Sequence, residues 1–387
     1  MAKDNDQRIR VMRIIARMNV GGPAVQVSGL MRGLDPSKFE HRLVTGFCAE
    51  DESDYLDTVA TDLSATRING LGRSISLKAD LFAFIQVVRE IRRFRPHIIH
   101  THTAKAGVIG RVASILSGRK SIRVHTFHGH LLHGYFGKGK TLLVIIIEKF
   151  LGFFTTKLLA VGKKVMEDLL SAGIGSAEKF AVMPPGLKLE ALPSREEACT
   201  ELGLDPSQTY CAFIGRITKI KRPDRFLDVV TEIHNQKIPV HFIVAGAGDL
   251  LEYCKERVAT ENLPVTFLGW REDIETVLAA SDLVLLTSDN EGTPLSLIQA
   301  GMAKIPVVST DVGSVREIVV DQETGFLTDL TSRSIAEALK ELIMDDDLRE
   351  DMGLAAYDYT TERYGVERLV SDHEKLYLDL INDQANS

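Results

Sequence analysis

The chain has 387 residues, more than one hydrophobic core ordinarily serves, so two domains are predicted. Its formal net charge of −7 argues against nucleic acid as the main partner. The four cysteines form no Cys-x-x-Cys pair and no metal-binding spacing, which is typical of buried thiols in a reducing compartment.

Neither a secretory signal nor a membrane span is predicted. The N-terminal segment has no long apolar core, which a signal peptide requires. The most apolar stretch, residues 142–161, contains Glu148, Lys149 and Lys157, and a transmembrane helix rarely tolerates so many charges. These features predict a cytoplasmic protein.

Strands and helices alternate through the first half of the chain, which predicts a parallel, doubly wound sheet. The first predicted strand, residues 9–16, leads through Gly21 and Gly22 into a helix. Two glycines in such a turn let a ligand approach the backbone closely. The third glycine of a dinucleotide fingerprint is missing, which argues against a nicotinamide cofactor. Further strands are predicted over 41–46, 98–102, 121–127, 157–161 and 180–184.

His128 directly follows the predicted strand 121–127, at the edge where open α/β sheets bind ligands. His125, His130 and His133 stand close to it in the sequence, which raises the question of a metal site. No aspartate or cysteine is placed beside them to complete a ligand set, and alternate residues of a strand point to opposite faces. We therefore predict no metal here, and the crowding favours a ligand contact for His128.

The second half restarts the same alternation after a segment marked by Pro and Gly, residues 185–193. The predicted strand 210–215 runs into a turn that carries Arg216 and Lys221. Two cations at a strand–helix turn suit a diphosphate, because charged hydrogen bonds to phosphate are strong. The turn after another predicted strand, residues 265–268, carries a glycine and an arginine, Gly269 and Arg271.

One stretch of the second half, residues 289–299, joins a predicted buried strand, 283–286, to a predicted helix, 294–303, whose first turn contains a proline. Glu291 and Gly292 then occupy a tight turn at the carboxyl end of the strand. Ligands of open α/β sheets bind at this end, so the turn is a predicted binding site.

The beginning of that predicted helix suits an anion. The helix dipole and the backbone N–H groups of Thr293, Leu295 and Ser296, beside Pro294, favour a phosphate. The neighbouring glutamate carboxylate would repel a phosphate and is better suited to accept hydrogen bonds from sugar hydroxyls. Gln299 stands about two helical turns further on, where it can face the same ligand.

The run from Glu291 to Ala300, Glu-Gly-Thr-Pro-Leu-Ser-Leu-Ile-Gln-Ala, resembles the signature of the family 4 retaining glycosyltransferases. In that signature a glutamate is followed by seven residues and a second glutamate, whose place is taken here by Gln299. The resemblance implies that Glu291 contacts the donor sugar and that Gln299 contacts the ribose of the nucleotide. The amide keeps an acceptor but loses the charge, and a charged hydrogen bond is roughly twice as strong as a neutral one.

The same resemblance assigns roles to residues elsewhere in the chain. Arg216 and Lys221 match a Gly-Arg…Lys pattern whose cations neutralise the leaving nucleoside diphosphate. His128 is implied to contact the donor sugar. The remaining implied donor contacts are Gly21, Gly22, Gly269, Arg271, Gly292, Thr293, Pro294 and Leu295. Acceptor contacts are expected at His102, Thr103, Lys105 and Tyr135.

The family also implies a GT-B fold, in which two Rossmann-like, doubly wound domains face each other across a cleft that holds the active site. The expected domains are residues 1–190 on the acceptor side and residues 191–365 on the nucleotide-sugar side. Residues 366–387 are expected to form a helix that crosses back to the first domain.

The implied reaction moves a hexose or N-acetylhexosamine from a nucleotide-sugar, a UDP-sugar by family resemblance, to an acceptor hydroxyl with the anomeric configuration kept. No cofactor and no metal are expected, since no Asp-x-Asp motif stands at a strand end near the proposed site and cations can carry the leaving group's charge. Two alternatives remain open. One is a nucleotide-sugar 2-epimerase of the same fold, and the other is a nucleotide-sugar binding protein without turnover, prompted by Gln299.

The acceptor is expected to be a lipid-linked saccharide of polysaccharide biosynthesis, reached through the first domain at the inner face of the cell membrane. Residues 131–140 interleave aromatic and cationic residues in a glycine-rich loop, and an apolar helix from Leu142 follows. Such surfaces are typical of membrane contact, because anionic lipid contributes about 1 kcal/mol per nearby Lys or Arg. A basic cluster lies in the same domain, at Arg89, Arg92, Arg93 and Arg95.

Overall fold

The computed structural model describes residues 8–50, 52–129 and 138–386. The chain divides into two compact units, a first unit of Met1–Leu187 with Gly365–Ser387 and a second unit of Lys188–Tyr364. The sequence predicts these boundaries after residues 190 and 365.

Strands and helices alternate through most of both units, and three successive helices end the chain. The strands are β1 (Ile9–Ile15), β2 (Phe39–Thr45), β3 (Ala65–Arg67), β4 (Ile98–His102), β5 (Ile122–Phe127), β6 (Lys157–Ala160), β7 (Phe180–Val182), β8 (Tyr210–Ile214), β9 (His241–Ala245), β10 (Val265–Gly269), β11 (Leu283–Leu286), β12 (Val307–Thr310) and β13 (Gly325–Thr328). The helices are α1 (Gly22–Gly33), α2 (Tyr55–Thr58), α3 (Leu77–Phe94), α4 (Ala104–Leu116), α5 (Lys138–Phe154), α6 (Lys163–Ser171), α7 (Arg195–Leu202), α8 (Pro223–Asn235), α9 (Leu251–Glu261), α10 (Ile274–Ala279), α11 (Leu295–Met302), α12 (Ser332–Met344), α13 (Asp346–Tyr364) and α14 (Val366–Asn386).

The first unit contains a parallel sheet of seven strands in the order β3-β2-β1-β4-β5-β6-β7. Its central strands are buried on both faces and are rich in apolar residues, although β4 also buries His100 and His102. The chain leaves β1 towards β2 and β3 and then returns to place β4 on the other side of β1. At this reversal of strand order, the carboxyl ends of β1 and β4 form the crevice in which sheets of this class bind ligands.

The last helix, α14, belongs to the first unit. Its Leu369 and Tyr377 are wholly buried in the same apolar cluster as Leu30 of α1 and Phe39 of β2. Gly33 permits a close approach between the two helices, because a Cβ there would lie 2.3 Å from a methyl group of Val370.

Helix α5 of the first unit has a charged anchor on one side and apolar residues facing solvent on the other. Both oxygens of the Glu148 carboxylate accept hydrogen bonds of 2.8 Å from Arg111 of α4, and the two side chains are 2% and 1% exposed. Because a buried charge without a partner is costly, this ion pair sets which face of α5 turns inward. The outer face, which we call the α5 apolar face, consists of Leu142, Leu143, Ile146, Phe150 and Phe153. In the described part of the chain, no helix has the length and apolar character that crossing a membrane requires.

The second unit contains a parallel sheet of six strands in the order β10-β9-β8-β11-β12-β13. Its apolar cluster joins the buried strands to α8, whose Phe226, Leu227, Val230 and Ile233 repeat at helical spacing. The strand order reverses between β8 and β11, which places the loops after these two strands at the ligand-binding edge. The two doubly wound parallel sheets predicted from the sequence are therefore confirmed.

Candidate functional site

The loops that follow β8 and β11 in the second unit are joined by hydrogen bonds. The backbone N–H of Asp289 donates to the carbonyl of Ile220 at 2.9 Å, and the Thr287 hydroxyl donates to the carbonyl of Lys221 at 3.1 Å. The buried Arg225 of α8 donates to the Thr287 carbonyl at 2.6 Å and to the Asp289 carboxylate at 2.7 Å. The two loops thus form a single braced structure at the reversal of strand order.

Lys221 and Glu291 meet at this edge. The Lys221 Nζ lies 2.6 Å from the Glu291 Oε1, and the Ser288 hydroxyl donates to the same oxygen at 2.5 Å. The Lys221 and Glu291 side chains are only 15% and 10% exposed, so their ion pair is shielded from much of the solvent. The pair holds the carboxylate in one orientation. The sequence predicts separate roles for these two residues and does not predict the ion pair, because 70 positions separate them.

Arg216, the other predicted cation, follows β8 and is exposed. In the described parts of the chain, its guanidinium forms no ion pair. Gly246 directly follows β9 and lies against the loop that carries Arg216. A Cβ at Gly246 would be 1.9 Å from the carbonyl oxygen of Gly215, so only a glycine allows this close contact between the two loops. Arg216 is therefore a cation that projects from a tightly packed turn at the ligand-binding edge.

The turn that carries Glu291 is fixed from the far side by the segment after β12. The N–H of Ser314 donates to the Glu291 carbonyl at 3.1 Å, and the Thr310 hydroxyl donates to the Ser288 carbonyl at 2.7 Å. At Gly313, which has a φ of +56°, a Cβ would lie 1.8 Å from the Glu291 carbonyl oxygen. Only glycine fits this position, because it combines a positive φ with direct backbone contact.

Helix α11 begins one residue later than predicted. Pro294 is the N-cap residue and has an extended ψ of 108°, so the first helical residue is Leu295. Gly292, Thr293 and Leu295 are partly buried near this helix start, as is Gln299 further along the same helix. The structure therefore brings the signature residues together at the carboxyl end of β11.

The turn after β10 carries two of the predicted donor contacts, Gly269 and Arg271. Gly269 ends β10 with a φ of +72°, and space remains around it. The Arg271 guanidinium donates to Glu201 at 2.6 Å and, through Nε, to Asp273 at 2.8 Å. Any contact between Arg271 and a ligand therefore has to compete with two carboxylates.

In the first unit, the turns after β1 and β4 contain several predicted contacts. Gly21 and Gly22 begin α1, and a Cβ at Gly21 would meet no atom within 4 Å, so the backbone is accessible there. Thr103 has φ 66° and ψ 156°, a conformation found almost only in glycine, and its hydroxyl accepts a hydrogen bond from the N–H of Ala16 at 3.2 Å. Strain of this kind is concentrated at functional sites.

Two of the expected acceptor contacts, His102 and Lys105, have partners within the first unit. His102 is wholly buried, with no exposed side-chain surface. Lys105 donates to the carbonyl of Ser74 and forms an ion pair of 2.6 Å with Asp80. Both side chains are thus engaged within the first unit, for reasons of tertiary packing that the local sequence does not show. The fourth expected contact, Tyr135, lies outside the described residues.

The histidines after β4 and β5 form a cluster that the sequence predicts only in part. His128 Nε2 lies 2.9 Å from His102 Nδ1, and the His102 ring stacks on that of His100 at 4.2 Å. His100 in turn has its Nδ1 2.6 Å from the Tyr377 hydroxyl and its Nε2 2.7 Å from the Thr126 hydroxyl. Burial lowers the pKa of His128 to about 4 and lowers that of His102 well below its ordinary value, so both rings are neutral at neutral pH.

His125 lies apart from this group. Its Nδ1 is 2.8 Å from the Thr101 hydroxyl and its ring meets Phe127 edge to face, as expected from alternation along a strand. Within residues 8–50, 52–129 and 138–386, no three His, Cys, Asp or Glu side chains are placed to hold a metal ion. The predicted neighbours His130 and His133 lie outside the described residues.

Two family models match the chain along most of its length. The model described as Glycosyltransferase Family 4 matches residues 20–191, and the model described as Glycosyl transferases group 1 matches residues 194–359.

Curated bacterial proteins resemble the chain over nearly their whole length. The UDP-Gal:alpha-D-GlcNAc-diphosphoundecaprenol alpha-1,3-galactosyltransferase of Escherichia coli is 28% identical over 85% of this chain and 86% of its own. The capsular polysaccharide biosynthesis glycosyltransferase CapM of Staphylococcus aureus is 23% identical over 84% of this chain and 88% of its own.

A solved structure of Anabaena Alr3699/HepE in complex with UDP and glucose superimposes with a TM-score of 0.81. The match covers 96% of this chain and 100% of that one at 19% identity, which shows the fold. The predicted GT-B fold is confirmed by this likeness.

We predict that Gly313→Ala destabilises the second unit more than Gly203→Ala does. Gly203 has a φ of +69°, and a Cβ there would have no atom within 4 Å. The only cost of an alanine at this position is the left-handed backbone conformation, roughly 1–2 kcal/mol. Gly313 has a similar φ, and a Cβ there would also clash with the Glu291 carbonyl. Overpacking of this kind adds roughly 1–3 kcal/mol to the loss of stability. Urea unfolding followed by the fluorescence of Trp270, the single tryptophan, reports on the second unit. Equal losses in the two variants would contradict the assigned close contact.

Proposed function

Because this chain belongs to the family 4 glycosyltransferases, we propose that it moves a sugar from a UDP-sugar to a hydroxyl of a lipid-linked saccharide, with the anomeric configuration kept. The observation that carries the proposal is the ion pair of Lys221 and Glu291 beside Arg216, at the ligand-binding edge of the second unit. The acceptor class rests on the similarity to the E. coli galactosyltransferase, whose named substrate is a diphosphoundecaprenol-linked sugar.

In the proposed donor site, cations bind the diphosphate of the UDP-sugar and a carboxylate binds its sugar. Arg216 and Lys221 neutralise the diphosphate, helped by the N-terminus of α11, and no metal is needed. The Lys221 ammonium has three N–H groups, so it can keep Glu291 as a partner while donating to a phosphate oxygen. The Glu291 Oε1 accepts from Lys221 and Ser288, and its Oε2 is proposed to accept from a hydroxyl of the donor sugar.

The proposed chemical step follows from this distribution of charge. As the bond between the sugar and the diphosphate breaks, negative charge grows on the leaving phosphate, where Arg216 and Lys221 stabilise it. The acceptor hydroxyl attacks from the same face, and the departing phosphate takes its proton. No protein side chain is then required as a general base, and retention of configuration follows from the side of attack.

A screen of sugar nucleotides tests the proposal as a whole. Wild-type protein is incubated with UDP-sugars, with and without undecaprenyl-diphosphate-linked sugars, and released UDP and the products are identified. Release of UDP that depends on the lipid-linked acceptor, with the α-anomer retained, is the expected result. A C2-inverted UDP-sugar would indicate an epimerase, and binding without any product would indicate a protein without turnover, the outcome that Gln299 raises.

Arg216→Ala and Lys221→Ala are each expected to slow transfer by about tenfold to a hundredfold, since a lost charged hydrogen bond costs roughly 1.5–3 kcal/mol. Lys221→Ala should have the larger effect, because it also leaves the Glu291 carboxylate without its cation. Steady-state rates with a saturating acceptor measure both. Lys219→Ala is the matched control, since Lys219 is an exposed lysine of the same turn. Near-normal turnover in both variants, or an equal loss in the control, would refute the assignment.

Glu291→Gln is expected to lower kcat more than Gln299→Ala. The first change preserves size and removes the charge that pairs with Lys221 and faces the sugar. The second change removes a neutral contact to the ribose, which acts in the ground state and in the transition state alike and so raises KM more than it lowers kcat. Both constants are measured with one donor. A lower kcat for Gln299→Ala than for Glu291→Gln would show that the two roles are reversed.

We also propose that the first unit docks on an anionic membrane through α3 and α5. The α5 apolar face includes Phe150 and Phe153, which are 62% and 75% exposed, and α3 with the two residues before it exposes further large apolar side chains. These are Ile75, Leu77, Leu81, Phe82 and Ile85. Both helices pack against α4.

The second half of α3 carries the basic cluster, and the charge of this cluster is complementary to anionic lipid. Arg89, Arg92, Arg93 and Arg95 are exposed. Many exposed large apolar side chains together with cations are a feature of proteins that lie on a membrane. The aromatic and cationic segment predicted to help, residues 131–137, lies outside the described residues.

The expected result of vesicle flotation is salt-sensitive binding of wild-type protein to anionic vesicles and weak binding to neutral ones. Phe150→Ser/Phe153→Ser should weaken binding at least tenfold, because burying each phenylalanine contributes roughly 1.5–3 kcal/mol. Met344→Ser/Leu354→Ser is the control, since these exposed apolar residues lie in the second unit. Absence of salt-sensitive binding, together with efficient transfer to a soluble sugar, would overturn the docking and point to a soluble acceptor.

A further inference from the structure

His102 and His128 form a hydrogen-bonded pair in which only one ring reaches the surface. His128 directly follows β5 and is partly exposed at the carboxyl edge of the sheet, whereas His102 ends β4 and is wholly buried. The Nδ1 of His102 and the Nε2 of His128 are 2.9 Å apart. A hydrogen bond of this length needs one nitrogen to donate and the other to accept.

Two arrangements satisfy this requirement, because a neutral imidazole carries one proton. In the first, His102 donates from Nδ1, the His128 Nε2 accepts, and the proton of His128 lies on Nδ1. In the second, His128 donates from Nε2, and the proton of His102 lies on its own Nε2.

The surroundings of His102 select the first arrangement. Its Nε2 is buried and has no hydrogen-bond partner among the described residues. A proton on this atom would leave a buried N–H without an acceptor, and orphaned N–H groups are rarer in proteins than under-satisfied acceptors. The first arrangement leaves only a bare lone pair there, so the lower-energy state has His102 as the donor.

His102 is itself held in place by its neighbours. Its ring stacks on His100, and both nitrogens of His100 lie within hydrogen-bonding distance of hydroxyls, those of Tyr377 on α14 and of Thr126 on β5. The next residue, Thr103, is fixed in its strained conformation by the hydrogen bond from Ala16. A side chain locked by packing and by its neighbours' hydrogen bonds can determine the orientation and the tautomer of the group it contacts.

We infer that His102 is a positioning residue that holds His128 in its Nδ1–H tautomer, so that His128 presents an N–H donor to an oxygen of a sugar substrate. The contact with substrate rests on the proposed function, whereas the tautomer does not. A neutral N–H donor suits a hydroxyl oxygen, because it orients the sugar without adding a charge that must be desolvated. His128 would then act as a donor without ever being protonated to the imidazolium form.

The tautomer is tested first, on wild-type protein without substrate. Long-range ¹H–¹⁵N correlation spectra of protein labelled at histidine distinguish Nδ1–H from Nε2–H rings at neutral pH, and the His128 signal is the one lost in His128→Asn. The expected ring is Nδ1–H. Finding His128 as the Nε2–H tautomer would overturn the inference whether or not the protein transfers sugar. His234→Asn, a change at an exposed histidine of the second unit, should leave that signal unchanged.

Substitution at position 102 then tests the positioning role. His102→Leu removes the donor, and His102→Asn keeps an amide N–H near the place of Nδ1. We expect His102→Leu to remove the donor that holds the Nδ1–H tautomer, so that His128 becomes a mixture of the two tautomers, and to lower kcat roughly tenfold, the size that one hydrogen bond carries. His102→Asn should recover most of both. Equal losses in the two variants, with the His128 tautomer unchanged, would mean that His102 has a packing role only.

A second pair of variants keeps the inference testable if His102→Leu does not fold. His128→Asn retains a donor near the place of Nδ1, which faces the substrate, and His128→Gln retains a polar group near the place of Nε2, which faces His102. The asparagine variant should transfer faster than the glutamine variant, and the reverse order would contradict the assignment. If no variant and no wild-type protein transfers sugar while the Nδ1–H tautomer is present, the proposed function fails and the histidine pair stands.

Discussion

The ion pair between Lys221 and Glu291 is the interaction on which the arrangement of the candidate site in the second unit depends. Each residue lies on a different loop, one after β8 and one after β11, at the place where the strand order reverses. The largely buried pair joins the two loops, and the hydrogen bonds of Arg225, Thr287 and Asp289 brace them around it. A carboxylate held in this way needs no reorganisation when a ligand arrives, which is the condition for electrostatic stabilisation of a transition state.

At its ligand-binding edge the first unit carries neutral histidines, whereas the second unit carries charged side chains at the corresponding edge. Its reversal of strand order lies between β1 and β4, and the polar network behind it consists of His102, His128, His100 and Tyr377. Burial keeps the histidines neutral, so they act as hydrogen-bonding groups of fixed orientation. Because Tyr377 belongs to α14, the last helix of the chain stabilises a network that ends at the ligand-binding edge.

Helix α5 of the first unit has a charged ion pair on its inner side and an apolar face towards the solvent. Glu148 pairs with Arg111 on the inner side of α5, where Leu151 is also buried, and five large apolar residues of that helix face outward. A surface helix of a globular protein usually turns polar residues to the solvent, so an exposed face with this many apolar residues is unusual. This exposed apolar face and the arginines of the α3 region are the two features on which the proposal of membrane docking rests.

The sequence alone determined the elements whose causes are local. Alternating buried strands and amphipathic helices predict the doubly wound sheets, and the run around Glu291 predicts a ligand site after β11. Tertiary structure decided which of the candidate residues meet. The pairing of Lys221 with Glu291 and the burial of His102 arise from strands that are adjacent in the sheet but distant in the chain, and no local periodicity records them. The same holds for Lys105, whose partner Asp80 lies on a preceding helix. Hydrogen bonds between neighbouring residues shape a turn, but only the order of strands in a sheet fixes which turns lie side by side.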